Sequence, residues 1–95
     1  MIVQNSTPQG LPYRFNWDDA RIFLAAYRRG SLMGAGEALG ISHSTVRRRL
    51  AGLEAALGVT LFTPTADGLV PTDAAKTAFD VAESIETATT HFCVL

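Results

Sequence analysis

Cysteine, lysine and long apolar runs are almost missing from this sequence, and each absence excludes something. The one thiol, Cys93, cannot form an internal disulfide, and no CxxC or HExxH spacing suggests a metal site. No cofactor is therefore expected. No apolar run approaches the ~20 residues a membrane helix needs. The first thirteen residues carry no charge, whereas a secretory signal would begin on a basic stretch. The expectation is a cytoplasmic chain with no membrane partner. No nucleophile-base-acid set is visible and no glycine loop opens a helix after a strand, so an enzyme is not expected.

Basic residues are scarce only in part of the chain. Residues 14–49 hold seven arginines against Asp18, Asp19 and Glu37, a local charge of +4. Residues 50–95 hold only Lys76 against six acids, a local charge of −5, and the whole chain sums to −1. A basic front and an acidic back can orient a molecule on a polyanion. With 95 residues, 47% of them hydrophobic, the chain is expected to build one modest core, which a partner chain would help to complete.

Residues 1–14 mix Asn, Ser, Thr, Gly and two prolines and read as a flexible tail. Asn16 then resembles a helix N-cap, followed by Asp18 and Asp19 at the positive end of the helix dipole. Ala20, Phe23, Leu24 and Tyr27 fall on one helical face, with Trp17 and Phe23 expected in the core. Arg28 and Arg29 suit the last turn, and Gly30 ends the helix. Ser31 caps a second, short helix to about Leu39. Gly34 and Gly36 weaken it by roughly 1 kcal/mol each relative to alanine and allow close approach by another helix. Gly40-Ile41-Ser42 can end that helix, plug the core and cap the next one. Helix, tight turn and helix make a helix-turn-helix pattern.

A third helix is expected from His43 to Leu57. Val46, Leu50, Leu53 and Leu57 form its narrow apolar stripe. At about 100° per residue Arg48 points away from that stripe, with Ser44 beside it and Thr45 and Arg47 on either side. Ala51, Gly52 and Ala55 continue this outward face without bulk, which suits insertion into a groove. Val59-Thr60-Leu61-Phe62 is rich in strand formers, Ala66-Asp67-Gly68 signals a hairpin turn, and Leu69-Val70 can pair back. Pro64 and Pro71 keep this wing short. Thr72 caps a last helix of about twenty residues. Ala75, Ala78, Ala82, Ile85, Thr89 and Phe92, with Phe79 alongside, make a heptad-like seam that is either core or a dimer interface.

Three phrases carry a family resemblance: FNWDDARIFLAAYRRGSL (15–32), GEALGISHSTVRRRLAGLEAALGVTLF (36–62) and DGLVPTDAA (67–75). Asn16 to Thr72 resembles the N-terminal domain of LysR-type transcription regulators. The resemblance implies a mainly α, winged helix-turn-helix fold at 15–71, with a short two-stranded wing and a long C-terminal linker helix at 72–95. It implies that a homodimer paired through the linker helix binds double-stranded operator DNA. A small-molecule effector would act only through a sensing domain that this chain lacks, so that Leu95 marks either a deliberate fragment or a truncated natural product. The recognition-helix positions correspond to His43, Ser44, Arg47 and Arg48, the phosphate-facing start of the second helix to Ser31, and positions nearer the backbone to Thr45 and Arg49.

Two departures stand out. Thr63-Pro64 replaces the arginine usual in the family's wing, and nothing from Thr60 to Thr72 is basic. Met33 stands where a small polar phosphate contact is common. From charge alone the three arginines of the third helix could equally be a solvated face. Ser44 and Thr45 could meet phosphate or a thymine methyl, or simply cap the helix. His43 is either a donor to DNA or a polar residue at a helix start, and His91 has no assigned role. The alternative function is a dimerising interaction module that binds DNA poorly and pairs with a full-length regulator.

Overall fold

The computed structural model describes residues 16–94, with side chains through Thr90. The tail expected at 1–14 and the side chains of His91, Phe92 and Cys93 lie outside the described residues. The order of elements is α1 (Trp17–Arg29), α2 (Leu32–Leu39), α3 (His43–Leu57), β1 (Phe62–Thr65), β2 (Gly68–Pro71) and α4 (Asp73–Val94).

Each boundary has a local cause. At the start of α1, Asn16 Oδ1 accepts from the Asp19 amide at 2.9 Å, and the Asp19 carboxylate accepts from the Asn16 amide at 3.4 Å. This reciprocal box satisfies two amides that a helix start leaves unpaired. Ser31 and Ser42 cap α2 and α3 by accepting from Gly34 and Thr45. Between these helices Gly40 takes a left-handed conformation (φ 73°), as the tight turn requires. A Cβ on Gly36 would lie 2.6 Å from the Ile41 carbonyl oxygen. Glycine is needed there because the turn and the first residue of α3 press on α2. Beside Gly34 the near atoms belong to Ser31 and Arg29.

The core gathers around α1, which packs against α2, α3 and α4. Ala20, Phe23, Leu24 and Ala26 are buried, and Val46, Leu50 and Leu53 of α3 close over them with Leu61 and Phe62. Phe23 is central: its ring lies 5.6 Å from Phe62 and 5.8 Å from Tyr27, centroid to centroid. Trp17, half-buried, packs against this cluster.

The wing differs from expectation in its first strand, which begins at Phe62 and runs through Pro64 instead of occupying 59–62. The reason is Glu54 on α3. Its Oε2 accepts from the amides of Leu61 (2.7 Å) and Phe62 (3.2 Å), holding the approach to the wing against α3. The strands pair with Phe62 opposite Pro71 and Pro64 opposite Leu69. The Leu69 amide points away from β1 and donates to the Gly30 carbonyl at 2.8 Å. Antiparallel pairs alternate between bonded and non-bonded, so both prolines occupy non-bonded positions and remove no ladder hydrogen bond. Gly68, at φ 127°, sits against the same Gly30 carbonyl so closely that any Cβ would overlap it. The hairpin is thus latched to the corner between α1 and α2.

The expected seam on α4 faces inward. Ala75 and Ala82 are fully buried within the chain, while Ala78, Phe79 and Ile85 pack half-buried against its core. Phe79 stacks on Tyr27 at 4.5 Å. Ala75 and Ala82 are therefore core residues, while Ala78, Phe79, Ile85 and Thr89 keep exposed edges. The outward side of α4 presents Thr77, Val81, Ser84 and Ala88 among other exposed residues.

Candidate nucleic-acid interface

The recognition-helix candidates lie on one surface because α3 buries only a narrow stripe. Val46, Leu50 and Leu53 face inward, so His43, Ser44, Arg47, Arg48 and Arg49 are exposed and Thr45 is half-buried. No carboxylate among the described residues lies within salt-bridge distance of Arg47, Arg48 or Arg49. Their charge and donor groups remain open to an external acceptor. Ala51, Gly52, Ala55 and Ala56 continue the surface with little bulk.

The small polar candidates are partly engaged. Ser42 Oγ lies 2.9 Å from Thr45 Oγ1 and 3.3 Å from Ser44 Oγ, forming a hydroxyl cluster over the N-terminus of α3. Ser44 and Thr45 thus take part in the cap arrangement. Ser31, half-buried, uses an oxygen lone pair to accept from Gly34, which leaves the hydroxyl proton outside that bond. Arg47 borders a cleft between α3 and the wing, lined also by Leu32, Leu50, Phe62, Pro64 and Leu69. The wing root therefore lies beside the arginine surface, but its exposed residues, Thr63 to Asp67, offer no cation.

Arg28, in the last turn of α1, is held by two acids of α4. Its guanidinium holds Glu86 through two bonds of 2.9 and 2.8 Å and reaches Glu83 at 3.4 Å. The hydrogen bond to Glu86 is the main reason the Arg28 pKa is raised, and the same bond holds the Glu86 carboxyl below its ordinary range. Arg29 is exposed and makes no ion pair among the described residues.

The depression around Met33 and the role of Glu54 escaped sequence reasoning. Met33 is 65% exposed and shares a shallow depression with Glu37, Ser42 and His43 at the start of α3. The row Met33, Gly36, Glu37, Gly40 at helical spacing was the available signal. Glu54 gave none, because its partners are backbone amides seven and eight residues away. Among the described residues no group of histidines, cysteines and acids is placed to hold a metal, and no helix is long and apolar enough to cross a membrane.

The fold has close counterparts. The Mau operon transcriptional activator of Paracoccus denitrificans is 47% identical over 47 residues, which cover 50% of this chain and 17% of the activator. The HTH-type transcriptional activator AmpR of Rhodobacter capsulatus is 40% identical over 63 residues, 66% of this chain and 22% of AmpR. The chain thus spans about a fifth of the length of these curated relatives. Among solved structures, the CbnR_DBD–DNA complex superposes with a TM-score of 0.75 at 25% identity, covering 80% of this chain and 87% of that one. Residues 17–76 match the model for bacterial regulatory helix-turn-helix proteins of the lysR family, and the chain belongs to that family as its winged helix-turn-helix domain.

Proposed function

We propose that this domain binds operator DNA as a dimer, laying α3 of each subunit into a major groove. The observation that carries the reading is the exposed arginine surface of α3, with no acidic partner among the described residues, on the fold that the CbnR_DBD–DNA complex shares. Arg48 and Arg47 suit bidentate pairing with guanine O6 and N7. His43 and Ser44 would stand nearest them, with Ser31, Thr45 and Arg49 closer to the phosphates. The two half-sites then lie roughly one helical turn, ~34 Å, or a multiple of it apart. The setting is the cytoplasm, and any effector acts through a further domain. No catalytic role is proposed for this domain.

A second reading, an interaction module that binds DNA poorly, is favoured by one observation: residues 60–72 carry no cation and Asp67 stands at the wing turn. Titration into a mixed-sequence duplex at two salt concentrations separates the two. Binding that weakens steeply with salt, by about −0.9 in log–log slope per neutralised phosphate, supports the DNA reading. A sample shown to be dimeric that fails to bind even at low salt supports the module.

For the dimer, the proposed contact joins the exposed edges of Ala78, Phe79, Ile85 and Thr89 to the neighbouring outward row of Thr77, Val81, Ser84 and Ala88, spaced by four, three and four residues. Val81 is 37% exposed. Val81→Asp is expected to shift sedimentation towards monomer while leaving the helical circular-dichroism signal intact. An unchanged dimer would move the interface elsewhere.

A further inference from the structure

The contact between α1 and α4 changes character along its length. Near the wing it is dry: Ala75 and Ala82 are fully buried and Phe79 lies on Tyr27 at 4.5 Å. Next comes a polar strap. Arg28, in the last turn of α1, passes over the Phe79 ring with its guanidinium carbon 6.0 Å from the centroid. It then grips Glu86 with two bonds and Glu83 with a third. Beyond the strap the packing opens into a cleft between α1, α2 and the far part of α4, lined by Trp17, Arg21, Leu24, Leu39, Glu86 and Thr90. A helix held tightly at one end, with open space beneath the other, changes its angle unless something ties it at the mouth of that space.

From this we infer that Arg28 is a positioning residue: its strap to Glu83 and Glu86 fixes the angle of α4 on the helix-turn-helix, and so the span between the two α3 helices of a dimer. The second half of this statement rests on the dimeric DNA-binding reading above; the first does not. The chemistry suits the role. A planar guanidinium meets a carboxylate at two points, which fixes direction as well as distance, and a lysine ammonium would not. Arg28 lies two residues before Gly30, whose carbonyl holds the wing, and three before Ser31, which starts α2. The angle of α4 is thus referred directly to the corner that carries the DNA-facing elements. The strap is partly exposed, with side-chain exposures of 43% for Arg28, 48% for Glu83 and 33% for Glu86. It is therefore open to screening by salt, and its loss should alter geometry more than stability.

Arg28→Met tests this, because methionine keeps an apolar stem over Phe79 and removes all three polar bonds. Spin labels at Asp18→Cys and Thr87→Cys, both exposed positions, with Cys93→Ser and dilution by unlabelled chain, report the opening between α1 and α4. The distance distribution is expected to be narrow in the chain that keeps Arg28, wider in Arg28→Met, and narrow again in the charge-reversed pair Arg28→Glu with Glu86→Arg. In parallel, duplexes built from a site selected out of a random pool are varied by whole base pairs between the half-sites. The preference for the best spacing should fall by about two- to fivefold in Arg28→Met, the range set by exposed ion pairs, while affinity for one half-site and the thermal midpoint stay close to wild type. An unchanged distance distribution in Arg28→Met would overturn the strap. A widened distribution with unchanged spacing preference would overturn its link to the span. A wild-type protein with no spacing preference would count against the dimeric DNA reading, and the label distances would still decide the strap.

Discussion

An Arg48→Ala domain is expected to bind its selected operator about 5- to 150-fold more weakly, the equivalent of the 1–3 kcal/mol that a bidentate arginine–guanine contact supplies. Arg48 is exposed on the side of α3 opposite Val46, Leu50 and Leu53, and no acid among the described residues holds it. Removing it leaves no buried charge unpaired and should not disturb the fold, so the loss reads as a lost DNA contact. Affinity for mixed-sequence DNA should fall far less, because that binding is spread over many phosphate charges. Arg48→Lys sharpens the test: it keeps the charge but not the fork. It is expected to retain the mixed-sequence affinity and still lose much of the operator preference. Equal losses on both duplexes for Arg48→Ala, measured by anisotropy at one salt concentration, would place Arg48 on a phosphate.

Phe23→Ala is expected to cost about 3–5 kcal/mol, as large-to-small changes at fully buried aromatic sites do. Folded domains hold only about 5–15 kcal/mol in total, and a domain this small stands near the lower end. The ring touches both Tyr27 and Phe62, and through Tyr27 the stack continues to Phe79. It therefore joins α1, the wing root and α4 in one cluster. Urea denaturation followed by circular dichroism should show a large fall in midpoint or a chain largely unfolded without denaturant. A change below about 1 kcal/mol would mean that neighbouring side chains collapse into the space, contrary to a close-packed centre.

Helix boundaries were legible because their causes are local. Asn16, Ser31, Ser42 and Thr72 cap within three residues, and Gly30, Gly40 and Gly58 close the first three helices. The outward face of α3 was legible for a related reason: a narrow apolar stripe leaves most of the helix to solvent. The first strand was misplaced because strand-forming residue types at 59–61 say nothing of Glu54, which captures amides at 61 and 62 from a different element. The tolerance of Pro64 and Pro71 was equally hidden, since it depends on which way the Leu69 amide points.

The sequence by itself determined the four helices, their caps, the arginine-bearing surface and the family, because periodicity, capping and turn chemistry act over a few residues. Only the tertiary structure decided that Ala75 and Ala82 belong to the chain's own core and that Arg28 turns from solvent to Glu83 and Glu86. A seam at heptad spacing looks the same whether it meets α1 of its own chain or a second copy. An arginine at a helix end looks the same whether it awaits a phosphate or a carboxylate 58 residues away. Those choices depend on which surfaces the folded chain brings together, and no local pattern records that.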